Sequence, residues 1–396
     1  MKTVILVVEG AAGEPVEVLG GRTPMQSARA HHASRAAQSG WCGVVQPPST
    51  RAAWRPETVL ALMSGMPDRQ AGELRRGPVE AVGVFSDAPG PEMIFRGDFL
   101  TLDAGGAVDG RATGLTWEET QELADALHQG MVPEGFDTAA TAPGNVAVRV
   151  AGGHELAAGF DAAFPERGVE VTRSVPKGKA ELKVRRYLER AAEVLAAHPV
   201  NDVRVDLGEN PANGIWLWGG GQALAPPAGP EPRETRGALA SSARMGKGIA
   251  SLCALEVLQI RSPWRGEPDE AVWSIPDLID CLRRVDRLTI YVEAPQEGVG
   301  FGDDVEKVRA LDLLDQVVLG PLYEIVREGF RPCRLVLTVT GAPLPVALPV
   351  VVSGDELEPD AAGRWDEEAC HGGGLGSMHL LDFPEMVCER RSWHLL

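Results

Sequence analysis

Basic residues are scarce here relative to acidic ones. Against 56 Asp and Glu the chain of 396 residues carries 38 Lys and Arg, a formal charge of −18. Nucleic-acid binders hold phosphates with clustered cations, so this balance excludes a general nucleic-acid role. It favours solubility and says nothing about fold. Long apolar runs are also missing. None approaches the roughly 20 residues needed to span a bilayer, and no membrane partner is expected. The run Val4 to Val8 stops at Glu9, too short for a signal-peptide core, with no small-residue cleavage site after it. The six cysteines, at 42, 253, 281, 333, 370 and 388, form no CxxC pair and no framework spacing. That is the pattern of reduced thiols in a cytoplasmic protein. Aromatic residues make up 5% of the chain. Gly (46) and Pro (30) are plentiful by contrast, so turns and tight junctions are expected.

The length allows one large domain with an insertion, or two domains. Val4 to Val8 is wholly apolar and β-branched-rich, which reads as a buried parallel strand running into a loop at Glu9-Gly10. In open α/β sheets ligands gather at the carboxyl ends of strands, so Glu9 stands where chemistry can occur. Residues 23–39 read as a helix with Pro24 in its first turn. Gly43 to Val45 reads as a short strand before a loop over residues 46–56. From about Arg75 to Arg233, short strands such as Val146 to Val150 alternate with Gly/Pro loops and one long amphipathic helix, near residues 180–197. Strands are then expected at 255–260, 288–292 and 335–340, with helices at 275–284 and 304–327. This alternation predicts a parallel sheet. The reading is an α/β core, 1–74 and 234–396, split by an inserted α+β cap, 75–233, of about 150 residues.

Several segments, in order, resemble the archaeal-type cofactor-independent phosphoglycerate mutases and their homoserine-kinase-like bacterial branch. They are "VEGAAGEPVEVLGGRTPMQSA" (Val8 to Ala28), Arg76 to Ala81, "FRGDFLTLD" (Phe95 to Asp103), "HPVN" (His198 to Asn201), "NPANGIWLWGGG" (Asn210 to Gly221), "GKGIA" (Gly246 to Ala250), "YVEAPQEG" (Tyr291 to Gly298), "DDVEKVRALDLLD" (Asp303 to Asp315) and "GGGLG" (Gly372 to Gly376). The resemblance runs nearly end to end, and the Asn210 block is its most specific part. It implies a three-layer, alkaline-phosphatase-like core in which two divalent metals (Mn²⁺, Zn²⁺ or Mg²⁺) and a serine nucleophile move a phosphoryl group between hydroxyls of a small acid. Such chemistry needs carboxylates and imidazoles on the metals and basic donors around the phosphate.

Laid on this sequence, that ligand set is incomplete. The first metal-binding Asp falls on Glu9, still an oxygen donor but one methylene longer. The nucleophilic Ser falls near Pro56, which has no hydroxyl; Ser49, Thr50 and Thr58 are close but out of register. The Asp and His expected in the segment from Pro295 to Gly300 are Gln296 and Gly300. A further Asp-His pair falls on Thr340 and Gly341, and a last His falls within Leu344 to Leu348. The acidic residue before the family lysine is Arg244. Glutamine binds divalent metals weakly and glycine has no side chain to offer. Lys247, Arg96 and Arg76 match basic positions that the resemblance places toward the phosphorylated substrate, and cations alone can hold an anion. Their structural reading is pairing with acidic neighbours.

Other features have structural readings. Cys370, His371 and His379 lack further ligands for a metal and sit among turn glycines. His31-His32 is expected at a helix surface, His198 in a loop, and Trp216 and Trp218 on one strand face as packing. The run Gly219 to Gly221 has no Walker lysine after it. Asp303, Asp304 and Glu306 read as a helix cap and first-turn acids. Two functional readings follow. One is a homologue without catalysis or strongly impaired, needing no cofactor, that binds a small phosphorylated acid in a binding or regulatory role. The alternative is a working mutase or phosphotransferase, in glycolysis or homoserine phosphorylation, with ligands relocated to residues such as Glu9, Asp269, Glu270, Glu297 and Asp303.

Overall fold

The computed structural model describes residues 1–46, 55–85, 92–131, 135–150, 167–175, 181–225, 227, 236–262, 272–293, 304–341, 346–355 and 357–388. Ser49, Thr50, Asp269, Glu270, Gln296, Glu297, Gly300, Asp303 and Leu344 lie outside them. The chain forms two compact units, one of Met1–Glu73 with Pro227–Leu396 and one of Leu74–Pro226. The first unit opens with β1 (Lys2–Glu9) and β2 (Gly40–Gln46). The second carries β3 (Met93–Leu102), β4 (Val108–Arg111), β5 (Phe136–Ala142), β6 (Asn145–Val150) and β7 (Gly214–Gln222). The first unit resumes with β8 (Gly237–Ser241), β9 (Glu256–Gln259), β10 (Arg287–Glu293), β11 (Cys333–Thr340), β12 (Leu348–Gly354) and β13 (Gly376–His379).

The first unit is built on an eight-stranded sheet in the order β13-β2-β12-β11-β1-β10-β8-β9. From β11 to β9 every pairing is parallel. The parallel sheet expected from the βα alternation is therefore present, though it is not the whole sheet. Strand β12 runs antiparallel to both β11 and β2. β1 lies at the centre, and Val4 through Val8 are fully buried. A strand segment buried on both faces is apolar, and the run Val4 to Val8 gives way to a polar residue at Glu9, the last residue of β1.

The second unit is antiparallel throughout, with β3 pairing with β4, β6 and β7. Its apolar core gathers Phe95, Phe99, Phe136, Tyr187 and Trp216 beneath the helices Trp117–Met131 and Glu181–Ala196. Phe136 and Tyr187 stack with ring centroids 4.4 Å apart. Burial pushes the Tyr187 phenol well above its usual range. This is an α+β unit as expected, but a second long helix, Trp117–Met131, stands beside the one expected near residues 180–197.

Two helices differ from their sequence readings. The helix expected over 23–39 is two, Pro24–Ser27 and His31–Gln38. The break is fixed from a distance. Asp312 accepts from the Arg29 amide at 2.6 Å, and Asp315 accepts from the amides of His32 and Ala33, both at 2.9 Å. The orphan amides at the start of the second helix are thus satisfied by carboxylates from elsewhere in the chain. The helix expected over 304–327 contains a wider π turn, Asp315–Leu319, before continuing as Gly320–Gly329. Pro321 has no N–H for the carbonyl of residue 317, so a regular α-helix would leave that acceptor unmet. His31 is exposed as expected, whereas His32 is half-buried. A side chain at Gly320 would start 3.0 Å from the His32 ring.

Candidate functional site

Three neighbouring parallel strands bring polar groups to one end of the first unit's sheet. In register, Glu9 of β1 lies beside Glu293 of β10 and Thr340 of β11, and Val7 lies beside Tyr291 and Thr338. Register partners share a face, as do residues two apart on a strand. Glu9, Tyr291, Glu293, Thr338 and Thr340 therefore form one patch at the carboxyl ends of the strands. The fully buried Tyr291 hydroxyl donates to Glu9 Oε2 and stands 3.2 Å from Glu293 Oε1. The hydroxyls of Thr338 and Thr340 are also fully buried. Neither has a hydrogen-bond partner among the described residues.

The helix Pro56–Met63 starts at this patch. Its proline occupies the first turn, where the missing N–H costs nothing. Gly341 follows β11 with φ 71°, a left-handed conformation. A Cβ there would lie 3.1 Å from Glu9 Cγ and 3.5 Å from Pro56 Cγ. The structure thus brings together Glu9, Pro56, Thr340 and Gly341, four positions that the resemblance assigns to metal ligands and nucleophile. Thr58 offers no substitute hydroxyl, being buried and donating to the Ala71 carbonyl at 3.1 Å.

A two-metal centre needs several carboxylates and imidazoles converging on each ion. Here Pro56 and Gly341 contribute no donor, Thr340 a neutral hydroxyl, and Glu9 a carboxylate already bonded to a phenol. Among the described residues no group of three or more His, Cys, Asp and Glu side chains gathers. The described residues do not fit a two-metal ligand set.

Sequence reasoning missed Tyr291, Glu293 and Lys307. The signal for the first two was alternation within Tyr-Val-Glu, which puts phenol and carboxylate on one face. Lys307 lies on the helix Asp304–Leu314 and donates to the Ala12 carbonyl, 3.4 Å away in the loop after β1. Burial lowers its affinity for a proton, and Asp304 and Glu367 only partly offset that. Lys247 stands in the helix Arg244–Leu252, which follows β8. It is half-buried and forms no ion pair among the described residues.

The other two expected anion-binding residues lie in the second unit, inside a charge network. Arg76 begins the helix Arg76–Glu80 and donates to Glu80. Arg96 donates to Glu80 at 2.7 Å and to Asp98 at 2.8 Å. Asp98 also accepts from Arg111 (3.2 Å), Trp218 (2.8 Å) and Asn145 (2.6 Å). Burial alone would raise the Asp98 pKa, but Arg96, Arg111 and Trp218 outweigh it and hold the carboxyl below its usual range. Arg76 and Arg96 are 3% and 6% exposed, with carboxylates against their guanidinium groups. Trp218 does more than pack. It donates to Asp98 and receives the Arg96 guanidinium 5.2 Å from its ring centroid.

The remaining candidates are structural. His198 caps the helix Pro199–Asp206, its ring accepting from the Val200 amide. Asn201 bonds the backbone of Ala212, which ties the "HPVN" and "NPANG" segments together. In the glycine run a Cβ at Gly220 would lie 2.2 Å from the Phe95 ring, so the run serves close packing. His371 and His379 are exposed, while Cys370 is buried and its sulfur faces the Arg364 carbonyl.

A family model described as 2,3-bisphosphoglycerate-independent phosphoglycerate mutase matches residues 37–201. Over 400 residues the chain is 29% identical to the 2,3-bisphosphoglycerate-independent phosphoglycerate mutase of Methanothrix thermoacetophila, covering 98% of this chain and 99% of that protein. Identity to the Methanosarcina mazei protein of the same name is 27% over 398 residues, with 96% and 98% covered. Among solved structures, the cofactor-independent phosphoglycerate mutase from Thermoplasma acidophilum aligns with TM-score 0.52 at 23% identity, over 98% of this chain and 99% of that one. The PH0037 protein from Pyrococcus horikoshii aligns with TM-score 0.63 at 17% identity, over 99% of each chain.

Proposed function

We infer that this chain, a homologue of the 2,3-bisphosphoglycerate-independent phosphoglycerate mutases, binds a small phosphorylated acid without carrying out two-metal phosphoryl transfer. One observation carries the reading. Glu9, Pro56, Thr340 and Gly341 meet at the carboxyl ends of β1 and β11, and together they supply one carboxylate, no imidazole and no nucleophilic hydroxyl at position 56. Phosphoryl transfer through a serine needs an alkoxide held at a metal, and the metals neutralise charge that develops in the transition state. Losing the nucleophile and most ligands removes both requirements at once. Loss of a single ligand would be a smaller matter.

Anion binding asks for less. A half-buried ammonium such as Lys247 attracts a phosphate or carboxylate without a metal. No helix among the described residues is long and apolar enough to cross a membrane, and the ligand class expected is small and water-borne. The role is then binding or regulation.

The test is calorimetric titration of the purified chain with 3-phosphoglycerate in excess chelator, alongside a mutase assay with Mn²⁺. Binding that persists with chelator and falls in Lys247→Ala is the expected result. Mn²⁺-dependent turnover, or a phosphorylated Ser or Thr found by mass spectrometry, would overturn the reading.

A further inference from the structure

We propose that Cys42 and Cys370 are a redox-responsive pair, whose closure to a disulfide fastens the helix Glu367–His371 to β2 and, through Glu367, holds the loop after β1. This device is independent of the ligand reading above.

The two cysteines stand more than 300 positions apart in the chain, so no CxxC spacing announces them. The fold brings them together. Both are free thiols and fully buried. Their sulfurs face one oxygen, the Arg364 carbonyl, Cys42 Sγ at 3.9 Å and Cys370 Sγ at 3.6 Å. The Cys370 side chain is also hydrogen-bonded to that of Cys42. Thiols already in contact need only a small shift to reach the roughly 2.05 Å of a disulfide. The backbone of Cys42 is held on both sides. Its amide donates to Asp360 Oδ2 at 2.7 Å, and its carbonyl accepts from the Leu375 amide at 2.9 Å. Movement therefore falls to the helix that carries Cys370.

That helix is also an anchor. The Glu367 carboxylate accepts from the Gly13 amide at 3.0 Å and from the Thr23 hydroxyl at 2.7 Å. Gly13 lies in the loop that follows Glu9 at the end of β1. A bond at Cys370, three residues on from Glu367, thus stiffens a contact with the loop beside the candidate site.

The closure is gated. The Cys42 thiol beside it, together with burial, holds the Cys370 thiol well above its usual range. Thiolates attack and thiols do not, so the pair is inert while the helix is seated and reacts when it lifts. A helix of 5 residues opens locally at far smaller cost than the sheet beneath it. The oxidant is a small disulfide, RSSR. One cysteine thiolate attacks it and expels RS⁻, and the second cysteine then displaces the remaining RS⁻ from the mixed disulfide. Two S–H bonds and the RSSR bond are lost, and one protein S–S bond and two RSH molecules are formed. The protein sulfurs are oxidised and RSSR is reduced.

The experiment exposes the full-length, reduced chain to glutathione disulfide in native buffer and maps its peptides by mass spectrometry without reduction. One linked pair, Cys42 with Cys370, is expected, reversed by dithiothreitol and absent in Cys42→Ser. Its rate of formation should rise about tenfold from pH 6.5 to pH 7.5, as the thiolate fraction of an opened cysteine does. Hydrogen exchange at the Gly13 amide should slow in the linked chain and stay unchanged in Cys42→Ser given the same oxidant. Circular dichroism checks that the variant folds, and Cys370→Ser serves as the control if it does not. No linked peptide, glutathione left on either cysteine alone, or linkage of other cysteines in equal yield overturns the pair. Unchanged exchange at Gly13 in the linked chain overturns its coupling to the loop.

Discussion

Both units bury a polar cluster, and the two clusters are finished to different degrees. Around Asp98 in the second unit, Arg96, Arg111, Trp218 and Asn145 all donate to one carboxylate, and Arg96 and Arg76 share Glu80. Around Glu9 in the first unit, the hydroxyls of Thr338 and Thr340 are fully buried and have no hydrogen-bond partner among the described residues. An unmet buried hydroxyl costs about 1–3 kcal/mol, so selection for stability alone would remove it. Closed networks of the Asp98 kind are what folding needs. The open one lies at the carboxyl ends of parallel strands, where ligands gather in α/β sheets.

The comparison is tested most severely in the second unit. Asp98→Asn should cost about 3–5 kcal/mol, because it leaves Arg96 with one counter-charge fewer in a buried site. Urea unfolding followed by tryptophan fluorescence reads this out, and a loss under 1 kcal/mol would show that the network is ornamental. The pH dependence follows the same logic. The folded Asp98 pKa lies below its unfolded value, so the stabilisation is complete above about pH 4, the ordinary carboxylate value, and is lost as pH falls through the folded pKa. Acid titration of the wild type should show this loss at strongly acidic pH, and Asp98→Asn should lack it.

Next in size is Tyr291→Phe. Glu9 is 9% exposed and loses a donor, so about 1.5–3 kcal/mol should go, the range for hydrogen bonds to charged groups. Thr338→Val should move the other way. It removes an unpartnered hydroxyl at nearly constant shape, and a gain of about 1 kcal/mol in thermal or urea unfolding is expected. A loss of that size would mean that the Thr338 hydroxyl is satisfied in solution, and the contrast between the units would narrow.

What the sequence revealed depended on how local each cause was. The β1 strand was legible because double-sided burial writes itself as an unbroken apolar run ending at Glu9. The break after Ser27 was not, because it is made by Asp312 and Asp315, more than 280 positions away. Glu9 was legible as a site residue from its place at a strand end. Glu293 was not, because its meaning comes from the register of β10 against β1, which only topology sets. The Arg96–Asp98 pair was within reach, since residues two apart on a strand share a face. Pairing with an acidic neighbour, the structural reading of Arg96, is the one found, and Asp98 is that neighbour.

The smallest stability effect belongs to Pro56→Ser, and it is the sharpest test of the first unit. Proline at the first helical position is favoured but not essential, and serine is tolerated there, so the change in stability should stay within about 0.5 kcal/mol. A Cβ added at Gly341 would lie 3.5 Å from Pro56 Cγ, and a smaller side chain at 56 opens rather than crowds that space. A returned hydroxyl still lacks what makes it a nucleophile. It has no imidazole beside it at Gly341, and the Glu9 carboxylate is bonded to Tyr291. If, as proposed, no pair of metals lowers its pKa, serine stays a neutral hydroxyl at pH 7 and attacks phosphate esters poorly. Incubation of Pro56→Ser with Mn²⁺ and 3-phosphoglycerate should therefore give no phosphoserine and no 2-phosphoglycerate. Turnover restored by this one substitution would mean that the ligand set is complete after all, and that the nucleophile was the single part removed.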